Sequence, residues 1–404
     1  MRVFQINAVP YGSTGRIMTQ IAQLLEQQGH QAMCTTGFTW QKCTYDKHFI
    51  TSSLPEKTWH MTLARLTGFN GCFSVIATRR LLRQLDAFQP DIIHMHNLHG
   101  WYVNLPMLFR YIQQRDIPVV WTFHDCWPIT GHCPYFDAVG CDKWKTGCHS
   151  CPQHRNYPQC ILDDSKAMWQ RKKKWFNAPG KLTVVTPSEW LAGLVRQSYL
   201  KNYPVKVIHN GIDSNLFRPT ESNFRQQYRC ENRFILLGVA FEWDYRKGLD
   251  VFIELSRRLP SQFQIVLVGT NEELDQTLPD TIISIHRTAS PQELAQIYTA
   301  ADLFVTPTRE DNYPTVNMEA LACGTPVLTF RSGGSPEIPD ITCGSVVETN
   351  NIDALEQEIL RIAAQTPYSR QACLDRALAF DKNDRFKEYI ELYKQLSGTE
   401  ASGT

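Results

Sequence analysis

Apolar, β-branched runs alternate with amphipathic helical stretches along almost the whole chain, and this alternation constrains the fold more than any other feature. "RVFQINA" leads into a helical stretch from about Gly15 to Gln28, followed by "DIIHMH", "PVVWTFH", "LTVVTPS", the helical "EWLAGLVRQSYL" and "VKVIHNGID". Short apolar runs separated by helical pattern read as parallel βαβ units. A second series runs from "RFILLGVA" through "LDVFIELSRRL", "FQIVLVG", "TIISIH", "PQELAQIYTAADLFVTPT" and "NMEALACGTPVLTF" to "NIDALEQEILRIAAQ". The same α/β, doubly wound architecture is built twice. Between the two series "VIHNGIDSNLFRP" is rich in turn formers, which places a hinge near Asn210 to Pro219 and domains at 1–212 and 213–380. Two such domains facing a central cleft would bring the carboxyl ends of both sheets together, so the loops after strands carry the function.

The length of 404 residues fits two domains, and a hydrophobic content of 43% is enough for a core in each. The start, "MRVFQINAVPYGSTGRI", has no basic and apolar leader pattern, and no apolar run approaches a membrane span, so a cytoplasmic protein is expected. The net charge of +1 hides a division: Met1 to Lys201 holds 22 Lys and Arg against 12 Asp and Glu, and the remainder 19 against 28. Part of the excess lies in "TRRLLRQL" (Arg79, Arg80, Arg83) and "RKKKWF" (Arg171 to Lys174, then Trp175 and Phe176). Cations beside apolar side chains suit an anionic membrane surface, and a solvated helix face is the plainer alternative. No nucleic-acid-binding module accompanies the charge.

Four loops carry residues with chemistry to offer. After the first strand, Gly12 and Gly15 of "NAVPYGSTGRI" let backbone approach a ligand at a helix N-terminus. "TFHD" ends a strand with His124, which can orient a hydroxyl, and Asp125, which can bias its tautomer; a structural histidine is the alternative. "EWDYRKGLDVF" sets Arg246 and Lys247 between a strand and a helix, where a cation and free N–H groups grip a diphosphate. "TPTREDNYPTVNMEALACGTPV" puts Asp311 in a loop and Glu319 on the following helix, with Pro314 in its first turn. One carboxylate can then meet a sugar hydroxyl and the other a ribose, while the N–H groups of Asn312, Tyr313, Thr315 and Val316, around Pro314, face a phosphate. A buried helix with two accidental acids is the plainer reading.

"HDCWPITGHCPYFDAVGCDKWKTGCHSCP" contains Cys133, Cys141, Cys148 and Cys151, spaced C-x7-C-x6-C-x2-C, in a cysteine-rich loop spanning 125–160. Three readings stay open: a closed structural zinc set that would order a loop lacking its own core, reduced cysteines packed as small hydrophobes, and disulfides or redox control. His132 or His149 could replace a ligand, and Cys126 and Cys160 lie outside the set.

Taken jointly, the glycine turn, "TFHD", "VIHNGID", "RKGL", "TPTREDNYPTVNMEALACGTPVL" and "GGSPEI" resemble the retaining GT-B glycosyltransferases of family 4 over essentially the whole chain. The cysteine-rich stretch looks like the branch that builds bacterial exopolysaccharides and O-antigens, including the colanic acid type. The resemblance implies a GT-B fold of two Rossmann-like domains, acceptor-binding then donor-binding, with a last helix within 381–404 crossing back to the first. It makes His124 the histidine near the sugar hydroxyls and Lys247 the phosphate-gripping lysine. Asp311 and Glu319 become the two acids of an E-x7-E motif, and Gly12 to Gly15 the turn near donor phosphate and acceptor. Two departures stand out. The first acid is Asp311 and not Glu, and Ala240, Phe241 and Glu242 occupy the place of the family's arginine, leaving Arg246 as the neighbouring cation.

The implied activity is transfer of a hexose from a UDP- or GDP-sugar to a lipid-linked oligosaccharide in exopolysaccharide, capsule or O-antigen synthesis. It proceeds with retention of configuration and without a catalytic cofactor, at the inner face of the cytoplasmic membrane. The missing arginine motivates a second reading, a non-catalytic nucleotide- or sugar-binding subunit of a polysaccharide assembly complex. A nicotinamide-dependent enzyme is disfavoured by the absence of GxGxxG.

Overall fold

The computed structural model describes residues 1–398 and divides into two units, Met1–His209 with Asn383 onward, and Asn210–Lys382. The first holds a seven-stranded sheet built from β1 (Arg2–Asn7), β2 (Gln31–Thr36), β3 (His48–Ile50), β4 (Ile92–Met95), β5 (Val119–Thr122), β6 (Leu182–Thr186) and β7 (Val205–Val207). Their order is β3-β2-β1-β4-β5-β6-β7, and every pairing is parallel. Parallel sheets are covered on both faces, which is why β4, β5 and β6 are buried at every position.

The second unit holds β8 (Phe234–Val239), β9 (Phe263–Val268), β10 (Ile282–Ile285), β11 (Leu303–Thr306), β12 (Val327–Phe330) and β13 (Gly344–Val347). Their order is β10-β9-β8-β11-β12-β13, again all parallel. In each sheet the winding reverses once, between β1 and β4 in the first and between β8 and β11 in the second. Loops leaving the carboxyl ends of strands at such a switch point splay apart and leave a crevice for ligands.

Both helices flanking the expected boundaries shift slightly. The first runs Gly12–Gln27 and so includes Gly12, and Pro314 is the N-cap of the Thr315–Ala322 helix, one residue before its first turn. The Lys382–Ser397 helix packs on the first sheet, burying Phe386, Tyr389, Ile390, Leu392 and Tyr393 against Val3, Ile92, Val120 and Val185. Each such side chain contributes about 1.5–3 kcal/mol on burial. Tyr393 Oη pairs with His94 Nδ1 at 2.6 Å, and Thr122 donates to Tyr389 Oη at 3.2 Å.

The cysteine-rich loop joins β5 to the Ser165–Phe176 helix. It does not lack a core: Trp127, Ile129, Phe136 and Trp144 are buried in the same cluster as Trp121 and Phe176. The "RKKKWF" run is likewise only half a surface feature. Lys172 and Phe176 point inward at helical spacing, leaving Arg171, Lys173 and Lys174 exposed.

Candidate functional site

In the first unit the switch-point loops follow β1 and β4, and the loop after β5 emerges beside the latter. Asn7 at the end of β1 braces the turn, accepting from the N–H groups of Ala8 (2.9 Å) and Asn97 (3.3 Å) through Oδ1. The turn Ala8–Tyr11 then enters the Gly12–Gln27 helix, whose N-cap Tyr11 makes no side-chain capping bond. Gly15 packs directly on the turn: a Cβ there would lie 2.3 Å from the carbonyl carbon of Pro10. Gly12 opens the helix at φ +69°, a region that suits glycine.

His124 follows β5 and is bonded to a histidine that the sequence reading passed over. Its Nε2 lies 3.0 Å from Nδ1 of His96, and the two rings stack at 5.3 Å. His96 Nε2 in turn meets Gln5 Oε1 at 3.2 Å. The signal was present in "HMHNLH": His94 and His96 stand two apart on β4 and its end, and so share a face. Burial drives the pKa of His124 down to about 4 against a raising influence of Asp125, so its imidazole is neutral near pH 7. His94 and His96 are pushed well below the usual histidine range by burial and by their histidine neighbours.

Asp125 does not serve His124 as a hydrogen-bond partner. Its Oδ2 meets His99 Nε2 at 2.8 Å and its Oδ1 accepts from the Trp127 N–H at 2.8 Å. Burial works to raise its pKa, but His99 and these hydrogen bonds prevail and hold the carboxyl below its usual range. His99 Nδ1 continues the chain to Tyr157 Oη at 2.9 Å. Thus the loop that begins at Asp125 is pinned to the loop after β4.

The second unit brings Lys247 and Asp311 together from the loops after β8 and β11. Lys247 Nζ lies 2.5 Å from Asp311 Oδ2, with both side chains about one-fifth exposed (22% and 18%). Asp244 positions the lysine backbone, accepting from its N–H at 2.8 Å. Arg246 points to the same loop pair, donating to the Glu310 carbonyl at 3.3 Å, with its Nε 3.8 Å from Asp244. Arg309 fastens the two loops: it forms a bidentate pair with Asp250 at 2.8 Å, receives the Tyr245 ring at 3.7 Å, and its own N–H donates to the Arg246 carbonyl at 2.8 Å. The loop after β12 joins through the Gly334 N–H and the Asp311 carbonyl at 3.3 Å.

Glu319 sits on the Thr315–Ala322 helix, buried, and accepts from Tyr298 Oη at 3.1 Å. Asn312, Tyr313 and Pro314 form the buried approach to this helix, and Pro314 caps it without a side-chain bond. Thr315 and Val316 open its first turn, whose N–H groups have no partner within the helix. Where the family's arginine was expected, Phe241 is 94% exposed, and Arg309 is committed to Asp250, which leaves Arg246 as the neighbouring cation.

The four cysteines Cys133, Cys141, Cys148 and Cys151 line one small cavity together with His132, His149, Phe136 and Trp144. Cys133 and Cys151 share a side-chain hydrogen bond. Among the described residues, no three His, Cys, Asp or Glu side chains stand at metal-holding positions as they are oriented.

Two parallel, doubly wound units, one carrying a lysine–carboxylate pair and a helix with a buried glutamate at its switch point, define a GT-B glycosyltransferase. The chain belongs to glycosyltransferase family 4: the family model described as Glycosyltransferase Family 4 matches residues 14–216, and that described as Glycosyl transferases group 1 matches residues 231–365. It is 26% identical over 321 residues to WcaC of Escherichia coli K12, named as a colanic acid biosynthesis glycosyl transferase, covering 76% of this chain and 77% of that one. Its fold is similar to sucrose-phosphate synthase from Thermosynechococcus elongatus, with a TM-score of 0.73 at 19% identity over 98% of this chain and 99% of that one. It is also similar to Anabaena HepE, solved in complex with UDP-glucose, with a TM-score of 0.67 at 16% identity over 98% and 100% of the two chains.

Proposed function

We propose that this chain moves a hexose from a UDP- or GDP-sugar to a lipid-linked oligosaccharide, with retention of configuration, in exopolysaccharide, capsule or O-antigen synthesis. The observation that carries the reading is the Lys247–Asp311 pair at the switch point of the second sheet. The second unit holds the donor. Lys247 and Arg246 meet its diphosphate together with the first-turn N–H groups of the Thr315–Ala322 helix, Glu319 takes the ribose hydroxyls, and Asp311 a hydroxyl of the sugar. As the nucleoside diphosphate leaves, negative charge grows on its phosphate, where preorganised cations and N–H groups lower the barrier. The first unit offers His124, neutral and held by His96, to orient a hydroxyl, and the turn at Gly12 and Gly15 where its own backbone can approach a ligand. The acceptor hydroxyl attacks the same face and passes its proton to a donor phosphate oxygen. No side chain acts as a nucleophile.

The acceptor assignment draws on the relationship to WcaC and on the surface of the first unit. Among the described residues no helix is long and apolar enough to cross a membrane. Trp59, Ile161 and Leu162 are more than half exposed, and Ile161 is tied by its N–H to the Arg65 carbonyl at 2.6 Å. Arg79, Arg80 and Arg83 lie exposed on the Val75–Phe88 helix. Apolar side chains with cations suit peripheral binding to an anionic cytoplasmic membrane face.

The test is donor turnover. Purified protein is incubated with UDP- and GDP-sugars and with membranes carrying lipid-linked oligosaccharide, and glycosylated lipid is measured. Product that disappears in Lys247→Ala supports the reading. Binding of a nucleoside diphosphate without product from any donor–acceptor pair would favour the non-catalytic subunit, for which the exposed Phe241 in place of an arginine is the motivating observation.

A further inference from the structure

We propose that Cys133, Cys141, Cys148 and Cys151 bind a single zinc ion as thiolates, and that this ion fixes the loop that carries Asp125. The inference is independent of the sugar-transfer reading and stands on the loop alone.

Residues nearly twenty positions apart are gathered at one point. All four cysteines line the same small cavity, with His132 and His149 beside them. Backbone N–H groups reach two of the sulfurs. The Gly131 N–H donates to Cys148 Sγ at 3.2 Å, and the Gln153 N–H donates to Cys151. These N–H groups offset only part of the burial that pushes the Cys148 thiol up to about 11, so metal binding itself has to draw off the protons. The turn between Cys148 and Cys151 is held from outside by Lys143, whose Nζ donates to the carbonyls of His149 (3.1 Å) and Ser150 (3.0 Å).

Two buried groups beside the cavity call for a ligand. His132 is buried and lines the cavity, and among the described residues no hydrogen bond to its Nε2 is formed. Lys172 is fully buried, with Nζ bonded to the Trp127 carbonyl and over the Trp127 ring at 3.6 Å, and among the described residues it makes no ion pair with a carboxylate. The acidic groups that act on it are Cys148, Asp125 and Cys133, and both oxygens of Asp125 are taken by His99 and Trp127. Burial lowers the pKa of Lys172 to about 7, the response of an ammonium without a full counter-charge. A zinc tetrathiolate carries a net charge of two minus and supplies it.

As oriented, the thiols are not set for an ion, because Cys133 is bonded to Cys151. Binding exchanges that weak S–H bond for Zn–S bonds of about 2.3 Å, needs side-chain rotation in the loop, and releases the four thiol protons to solvent. A closed set of four thiolates leaves no open position, which makes the ion structural. The loop contacts Asp125 through Trp127, and Cys126 N–H donates to the Pro134 carbonyl at 2.8 Å, so an ion at Cys133 restrains the Asp125–His99 pair from the next residue along.

The experiment uses the full chain purified without chelator under reducing conditions. Metal is measured by mass spectrometry, thiols by their reaction with a disulfide reagent, and the zinc is exchanged for cobalt(II). Equimolar zinc, thiols shielded until a chelator is added, and the intense visible absorption of tetrahedral thiolate-bound cobalt are expected. Cys148→Ser should lose the metal, while Cys343→Ser, in the second unit, should keep it. Metal well below equimolar, cobalt bound without thiolate charge-transfer bands, or a native disulfide between two of the four cysteines would each overturn the proposal, and the cobalt spectrum of the unaltered chain does so without depending on the folding of a variant.

Discussion

Lys247 Nζ and Asp311 Oδ2 stand 2.5 Å apart, although 64 residues separate them in the chain. The pair places a cation and an acceptor at the carboxyl ends of β8 and β11. Removing the ammonium by Lys247→Ala should lower kcat/KM by roughly 10²–10³ and weaken binding of the nucleoside diphosphate. Lys247→Arg should not restore it fully, because a planar guanidinium cannot replace a compact point charge. Steady-state kinetics with a nucleotide-sugar and calorimetry with its diphosphate check both.

If His124 orients a sugar hydroxyl, its bond from His96 makes His96 a positioning residue. His96→Phe should leave donor KM nearly unchanged and cut kcat roughly tenfold to a hundredfold through misorientation of His124. His96→Gln, which keeps a polar partner, should recover part of the loss. A change in KM alone would argue against the assignment.

Stability should fall as pH drops below neutrality. In the unfolded chain His124 takes up a proton near its ordinary value of 6.5, whereas in the folded protein it does so only near 4. Between those values the unfolded state binds more protons, so acid favours unfolding, and full titration of this group alone costs on the order of 3 kcal/mol. His132, lowered to about 4 by burial, acts in the same direction in the metal-free protein. Thermal melting followed from pH 7 to pH 4.5 should show a falling Tm, with a shallower slope in His124→Gln.

Gly15→Ala should destabilise the first unit, because the added methyl would meet the Pro10 backbone at 2.3 Å. Overpacking against backbone costs about 1–3 kcal/mol. Chemical denaturation gives the value, and the turn displaced by the methyl should also depress turnover more than the loss of folded protein explains.

If the first unit meets an anionic membrane, Arg79→Ser with Arg83→Ser should weaken binding to vesicles containing anionic lipid by roughly thirtyfold, at about 1 kcal/mol per cation. Sedimentation with neutral vesicles should show no such difference between the two proteins.

Much of the architecture is legible in the linear pattern. The alternation of apolar runs with amphipathic stretches marks two parallel units, and Gly12, His124, Lys247 and Asp311 lie in segments that follow the carboxyl ends of strands β1, β5, β8 and β11. The reason is local, since strand and helix periodicities and turn formers act over a few residues. Partners were less accessible. Asp125 adjoins His124 in sequence yet bonds His99, and Arg246 remains beside Asp244 and Glu310 while Arg309 fastens the loops around it.

By itself the sequence determined which segments become strands and helices and which loops emerge at the carboxyl ends of the strands, because those outcomes follow from short-range periodicity. Only the tertiary structure decided that β4 lies between β1 and β5, which brings His96 to His124, and that β8 lies beside β11, which brings Lys247 to Asp311. It also turned Lys172 inward beside the cysteine cavity while its neighbours stayed in water. Strand order and helix docking are set by burying apolar surface across the whole unit, and hydrogen bonds between side chains then form among whichever groups that packing leaves within about 3 Å.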